Sequence, residues 1–309
     1  MKKILITGGT GTVGKSFIKQ YYNDYKFYSI SRNETHITEL KNSFPKVHCH
    51  IGDICNLDFM INIFEQIKPD IVIHAAALKH INLAEENPSI ASKINIIGSL
   101  NIVKASIRAE VPLTIGISTD KACNPDSIYG YTKRMMEKIF MQHHNKKTKF
   151  ICTRFANVAN SNGSVIPFWL SESKKGNPLK LTDSGMNRLM FSKKESSELI
   201  YKAIDYGQSS DESFILCKIM KNVNLLELAK VISDKEVKII GKRPGEKLNE
   251  TLIGEHELPY TYVVDDYVYI FYQQNNMIKK QLFKKHSSDN SEWMNKQEMK
   301  NLIYDENNL

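Results

Sequence analysis

KILITGGTGTVGKSFI, Lys3 to Ile18, runs from a short strand pattern into a glycine-rich turn and on into a helical pattern that carries Val13, Phe17 and Ile18. Gly8, Gly11 and Gly14 fall every third residue across that turn. Glycines so placed let the backbone turn tightly and come close to a pyrophosphate, whose charge then lies at the N-terminus of the following helix. A glycine pattern alone is weak evidence. Its position between the first strand and first helix of a βαβ unit marks a dinucleotide site rather than a structural turn.

The alternation begun there continues through FYSIS, VHCHI, DIVIHA, LTIGIS and FICTR, each separated from the next by a segment of helix length. Such alternation predicts an α/β fold, a Rossmann-type doubly wound parallel sheet covered on both faces by helices. After Arg154 the pattern breaks into Gly, Pro, Asn and Ser punctuation, with helices expected over Lys193–Tyr206, Leu225–Asp234 and Trp293–Tyr304. The expected organisation is a nucleotide-binding domain over 1–153 and a smaller mixed α/β substrate lobe with a C-terminal tail over 154–309, the two interleaved. From about Gln273 the chain is charged and polar.

The 309 residues, 41% hydrophobic and 25% charged, match a soluble globular protein able to bury a large core. Cys49, Cys55, Cys123, Cys152 and Cys217 form no CxxC pair, and Lys2 and Lys3 lead directly into strand, so no leader is expected and a reducing cytoplasm is the natural setting. The longest nearly apolar run, Ile71 to Leu78, falls far short of the roughly 20 residues that span a bilayer. The net charge of +8 is spread over scattered lysines, which describes a solvated basic surface and not a nucleic-acid or membrane face.

The second strand ends in Ser31 and Arg32. An acidic residue there would bond a ribose hydroxyl, whereas arginine can take a 2′-phosphate, so NADP is favoured over NAD; the alternative is that Arg32 is simply surface. Asp53, after the third strand, can accept from the adenine amino group or cap a helix. Ala75, Ala76 and Ala77 would let a cofactor lie against the backbone. His74 and His80 have no metal-ligand companions, so no metal is expected, and they are structural or substrate-lining.

In STDKACNPDSIYGYTK, Ser118 to Lys133, Tyr129 and Lys133 lie four apart on an expected helix and share a face, whereas Tyr131 diverges. An ammonium beside a tyrosine favours the phenolate, which can take a hydroxyl proton as hydride leaves for nicotinamide. Thr119 can bond the same hydroxyl. Pro125 and Gly130 are placed to shape the loop and the start of the helix.

Through TGGTGTVG, Asp53, Thr119, Tyr129 and Lys133 the chain resembles the extended short-chain dehydrogenase/reductase superfamily. Through HAAALKHINLAEENP, STDKACNPDSIYGYTK, TRFANVANSNGSVIP and KRPGEKLNETLI it looks more narrowly like the inverting UDP-N-acetylglucosamine 4,6-dehydratases that begin pseudaminic acid biosynthesis. The resemblance covers nearly the whole chain. It implies a tightly bound, recycled NADP held by Gly8, Thr10, Gly11, Thr12, Val13, Ser31, Arg32, Asp53, Ile54, Ala75, Ala76, Ala77, Lys79, Tyr129 and Lys133. It also implies a UDP-sugar held by Lys79, Asn157, Arg188, Arg243 and Glu246, and a homo-oligomer, dimer or hexamer.

Dehydration oxidises C4 of the sugar, eliminates water across C5 and C6, and returns hydride to C6. Where the related retaining enzymes carry Asp-Glu, this chain has Asp120-Lys121. Asp120 is expected to assist loss of the C6 hydroxyl and Lys121 to take the C5 proton, which requires Lys133 or desolvation to depress the lysine pKa; the alternative is that Lys121 only anchors phosphate or cofactor. The chain departs from the family pattern at Ala156, Asn160, Asn162 and Asn249. A UDP-hexose 4-epimerase, a retaining dehydratase and a non-catalytic NADP-binding regulator are the competing readings. The epimerase needs no Asp-Lys pair, and regulators often lack the Tyr or Lys.

Overall fold

Strands buried on both faces account for the continuous apolar runs. In the computed structural model, which describes residues 1–272 and 285–304, β1 (Lys3–Thr7) sends Ile4 and Ile6 into one helical layer and Leu5 into the other. It pairs in parallel with β2 (Lys26–Ser31) and with β4 (Ile71–His74); β3 (His48–Ile51) flanks β2, and β5 (Leu113–Thr119) and β6 (Lys149–Phe155) extend the other side. The strand order reverses between β1 and β4, and that is where a ligand crevice opens at the carboxyl ends of such a sheet. The helices α1 (Thr12–Gln20), α2 (Glu34–Ser43), α3 (Leu57–Ile67), α4 (Ile81–Glu86), α5 (Pro88–Ser92), α6 (Gly98–Arg108) and α7 (Ile128–His143) connect these strands.

The division expected at 153/154 runs through β6, and the second half contributes to both parts of the molecule. Its elements are β7 (Asn157–Val158), α8 (Val165–Lys174), β8 (Lys180–Leu181), β9 (Asn187–Phe191), α9 (Lys193–Ser209), β10 (Phe214–Lys218), β11 (Asn222–Asn224) and α10 (Leu225–Ile232). They continue with β12 (Lys238–Ile239), β13 (Thr251–Ile253), β14 (Thr261–Val264), β15 (Tyr267–Phe271), β16 (His286–Ser287) and α11 (Lys296–Tyr304). β10 joins β6 in parallel, and the antiparallel β15 and β14 complete a nine-stranded sheet. The alternation of strand and helix does not forecast β14 and β15, because they are a hairpin joined at Asp265 (φ +53°) and Asp266.

β8, β9 and β11 contribute Leu181, Met190 and Val223 to a separate core with Trp169, Leu228 and Ile303, whereas Leu252 and Ile253 of β13 join the main core. α9 starts from a reciprocal cap between Ser192 and Glu195, and its Tyr201 stacks on Tyr21 of α1 at 4.9 Å. α10 stops at Ile232, short of the expected Asp234, where Ser233 turns extended. α11 starts at Lys296, later than expected, because Trp293 forms a bridge with Asn222.

Candidate active site

At the nucleotide end, Gly8 adopts φ +73°, donates to Ile30 O at 2.8 Å and accepts from Gly11 N at 2.9 Å. A β-carbon on Gly8 would lie 2.9 Å from the backbone of Ala76, so the turn after β1 touches the segment after β4 backbone to backbone. A β-carbon on Gly14 would meet Gly9 Cα at 2.6 Å, which seats α1 against the same turn. α1 has no side-chain cap and no acidic residue in its first turn, leaving its N–H groups for an anion. These features fit a dinucleotide pyrophosphate. Val13 packs on the core from this turn, and Ile54 is buried against Gly98.

Ser31 accepts from Thr10 Oγ1 at 3.1 Å, and the exposed Arg32 guanidinium stands 4.0 Å from Asp53 Oδ2. Asp53 Oδ1 accepts from Cys55 N at 2.9 Å, so one carboxylate oxygen already closes a local turn. The cradle segment is fixed from behind: Asn95, in a π-helical turn, accepts from Leu78 N at 2.8 Å and donates to Leu78 O and Thr132 Oγ1. Lys79 Nζ donates to Asn162 O at 2.7 Å while Asn162 N donates to Thr12 Oγ1 at 3.0 Å, so the 160–164 loop joins α1 to Lys79.

His74 is structural and lines no substrate. Ser99 Oγ donates to Asn95 O and so accepts from His74 Nε2 at 3.0 Å, which leaves Nδ1 to accept from Thr7 Oγ1 at 2.7 Å. Burial, aided by the Lys133 charge, pushes this imidazole down to about 3. His80 packs against Gly163.

At the chemical end, β5 delivers Thr119 into a single 3₁₀ turn, Asp120 to Ala122. Asp120 Oδ1 accepts from Thr119 Oγ1 and from Lys121 Nζ, each at 2.9 Å, while Asp120 Oδ2 is buried with no hydrogen-bond partner. α7 starts on Ser127, whose Oγ accepts from Gly130 N at 3.2 Å. A β-carbon on Gly130 would stand 2.5 Å from Lys121 O and 3.2 Å from Pro125, so absence of a side chain lets the helix dock on the 3₁₀ turn. Tyr131 faces solvent.

Burial pushes the Tyr129 phenol up to about 12, against the opposing pull of the Lys121 ammonium and a Thr119 hydrogen bond. Lys133 points its Nζ at Ile117 O, 2.6 Å away, and burial lowers it to about 8. The ammonium acting on Tyr129 in this structure is therefore that of Lys121. The depressed Lys121 pKa expected above is not found: burial works in that direction, but Asp120 and Glu250, whose Oε1 is 3.5 Å from Nζ, outweigh it and hold the lysine above its ordinary value.

Arg188 is engaged within the chain: its terminal nitrogens donate to the carbonyls of Asn187, Leu248 and Lys247 at 2.8–2.9 Å, so its fork fastens the 247–248 segment. Asn157 Nδ2 reaches Leu189 O at 3.4 Å. Glu246 Oε2 accepts from Arg243 N at 3.1 Å and closes its own turn, while the Arg243 side chain is exposed. Gly245 packs that turn on Ser127, at the start of α7.

Sequence pattern gave no signal for a buried network under Thr119. Arg154 donates to Glu137 at 2.8 and 2.9 Å and to Glu257 at 2.8 and 2.9 Å, Arg134 adds a contact to Glu257 at 2.8 Å, and Ser118 Oγ donates to Glu137 at 2.7 Å. Glu250 was also unmarked beyond its place in KRPGEKLNETLI. Among the described residues no cluster of three His, Cys, Asp or Glu side chains could hold a metal, and no helix is long and apolar enough to cross a membrane.

Residues 4–271 match the family model described as polysaccharide biosynthesis protein. The chain is 37% identical to an uncharacterized membrane protein of Methanocaldococcus jannaschii, over 98% of this chain and 95% of that protein. It is 36% identical to a UDP-N-acetylglucosamine 4,6-dehydratase (inverting) of Campylobacter jejuni, over 86% and 81%. Proteins from Rickettsia named UDP-glucose 4-epimerase also match, that of Rickettsia massiliae at 31% identity over 98% of this chain and 95% of its own length. The X-ray structure of Pen from Bacillus thuringiensis superposes with a TM-score of 0.90 at 31% identity, covering 100% of this chain and 98% of that one. The chain belongs to the polysaccharide biosynthesis protein family on the extended short-chain dehydrogenase/reductase fold, as an enzyme of the nucleotide-sugar dehydratase/epimerase type.

Proposed function

We propose that the protein is a C5-inverting UDP-N-acetylglucosamine 4,6-dehydratase with tightly held NADP, yielding a UDP-4-keto-6-deoxy-L-arabino-hexose for surface glycan synthesis. The observation that carries this reading is Asp120: its Oδ2 is buried and unpartnered beside the Lys121 ammonium. A buried carboxylate oxygen without a partner is costly and suits a group that meets a substrate hydroxyl. Oxidation at C4 alone gives no work to Asp120 Oδ2.

A dinucleotide held at the turn after β1 would supply the hydride acceptor for C4 and the hydride donor for C6. Tyr129 takes the C4 hydroxyl proton, assisted by Thr119 and by the Lys121 charge. Lys121, as a neutral amine, takes the proton from C5, whose acidity the adjacent C4 ketone provides. The C5–H electron pair then forms the C5–C6 double bond as the C6–O bond breaks; the proton that Lys121 has taken passes to the Asp120 carboxylate, 2.9 Å from its Nζ, which gives it to the departing hydroxyl so that water leaves. Reprotonation of C5 on the opposite face inverts it. The exposed Arg32 at the end of β2 suits a 2′-phosphate. Exposed Ile97 and Met135, on the helices flanking the sheet, suit pairing with a second copy.

A 4-epimerase is the second reading, favoured by the Rickettsia relatives and by a Lys121 that is held protonated. Proton NMR of purified protein incubated with UDP-N-acetylglucosamine, no cofactor added, separates the two. A new C6 methyl signal with deuterium from solvent at C5 and an L-arabino coupling pattern is expected. UDP-N-acetylgalactosamine without a methyl signal would replace the dehydratase by the epimerase.

A further inference from the structure

Lys121 has to face C5 without its proton, yet two carboxylates hold that proton on. Only one of the two is free to take it. Asp120 Oδ1 already accepts from the Thr119 hydroxyl as well as from Lys121, and its other oxygen is the one assigned to the C6 hydroxyl. Glu250 approaches Lys121 from a distant part of the chain: its side chain is 5% exposed and Oε1 is 3.5 Å from Nζ. Its backbone is clamped, with Glu250 N donating to Ser288 Oγ and Ser288 N donating to Glu250 O, each at 2.9 Å. Nothing in C4 oxidation uses a carboxylate there.

We propose that Glu250 is the positioning residue for Lys121, holding its Nζ toward C5 and accepting its proton when the ketone intermediate is in place. The inference rests on the dehydratase reading above. The Nζ–H bond of Lys121 breaks as an Oε1–H bond forms on Glu250; the resulting amine then takes the C5 proton, and the C5–H electron pair forms the C5–C6 double bond as the C6–O bond breaks. No oxidant or reductant enters this transfer. Asp120 is spared from accepting that proton and stays committed to the leaving hydroxyl.

The surroundings of Glu250 agree with the role. Facing it are Lys121 and Asp120 on the 3₁₀ turn, Arg188 from β9 and Lys247 from its own segment, with Tyr129 of α7 beyond Lys121 and Asp120. Burial, with Asp120 adding to it, raises the Glu250 carboxyl above its ordinary value, while Lys121 and Arg188 pull it back. A carboxyl balanced in this way takes a proton more readily than an exposed glutamate does. Arg188 therefore helps in a way the sequence did not suggest, by securing the 247–248 segment that leads into Glu250.

The test compares wild type, Glu250→Gln and Glu250→Asp by the C6 methyl signal and the rate of solvent deuterium uptake at C5 between pH 6 and 9. Glutamine keeps the volume but cannot accept the proton. The expected result is a kcat lower by about 100-fold with KM for UDP-N-acetylglucosamine changed by less than about twofold. The residual rate should climb with pH, about tenfold per unit, because Lys121 must then lose its proton to solvent. Glu250→Asp should keep the wild-type pH profile at a rate within about tenfold of wild type. Dehydration by Glu250→Gln at the wild-type rate and with the wild-type profile would overturn the proposal alone. A wild-type protein that makes no methyl product would overturn both it and the dehydratase reading. If the glutamine variant does not fold, the aspartate variant decides: a pH profile displaced from wild type removes the assignment.

Discussion

Gly130→Ala isolates how closely α7 must sit on the catalytic loop. The added β-carbon would fall 2.5 Å from Lys121 O, where ordinary contact begins at 3.4 Å, and the obstructing atom is backbone that cannot rotate away. Pro125, at 3.2 Å on the same side, blocks the sideways escape. Helix and loop therefore have to part by about 1 Å, which separates Tyr129 from Thr119 and Lys121 by a similar amount; a misplacement of that size costs on the order of 100-fold in rate, or about 2.7 kcal/mol of transition-state stabilisation. Overpacking should also lower stability by about 1–3 kcal/mol. The glycine turn at β1 lies apart from the clash, so dinucleotide affinity, followed by nicotinamide-cofactor fluorescence, should hold within about twofold. Methyl-product formation by NMR gives kcat, and urea unfolding gives the stability change. A kcat within twofold of wild type would refute the contact as a determinant of the site.

Two further outcomes concern the interior. His74 titrates far below its ordinary value of 6.5, so the unfolded chain binds a proton between about pH 6.5 and 3 that the folded chain refuses. Stability present above pH 6.5 is therefore lost as pH falls through that window, by several kcal/mol, and His74→Asn should flatten this dependence in urea titrations at successive pH values; an unchanged acid limb would count against it. Arg154→Met removes the guanidinium shared by Glu137 and Glu257, leaving Arg134 as the one cation within ion-pair distance of these two buried carboxylates among the described Lys and Arg residues. A loss of about 3–5 kcal/mol is expected from the urea midpoint, and a change below about 1 kcal/mol would show that the carboxylates neutralise themselves by other means.

What the sequence discloses depends on how far a contact reaches along the chain. The turn at Gly8, Gly11 and Gly14 is set within one supersecondary unit, where spacing fixes which groups meet; the i, i+4 spacing of Tyr129 and Lys133 gives them a shared helix face, but not that Lys133 Nζ turns to Ile117 O. Arg188 and Lys121 are settled by partners elsewhere: the carbonyls of Lys247 and Leu248 take up the arginine, and Glu250 reverses the expected direction of the lysine. A cation in a promising segment reads the same whether its partner is a phosphate or a main-chain carbonyl, and only the fold distinguishes them. Likewise Arg154, which ends an apolar strand pattern, gives no hint that Glu137 and Glu257 converge on it from α7 and the 255–260 turn.

The return of the chain to its own sheet has a consequence during synthesis on the ribosome. β6 is finished at Phe155, but β10, which covers its outer edge, starts only at Phe214. At roughly 5–20 residues per second, about 60 intervening residues leave that edge unpaired for some 3–12 s of elongation. A bare apolar strand is a template for pairing with another nascent chain. Slowed translation between these two strands should therefore raise the insoluble fraction, whereas slowing after residue 271, once β15 is available to cover β10, should not.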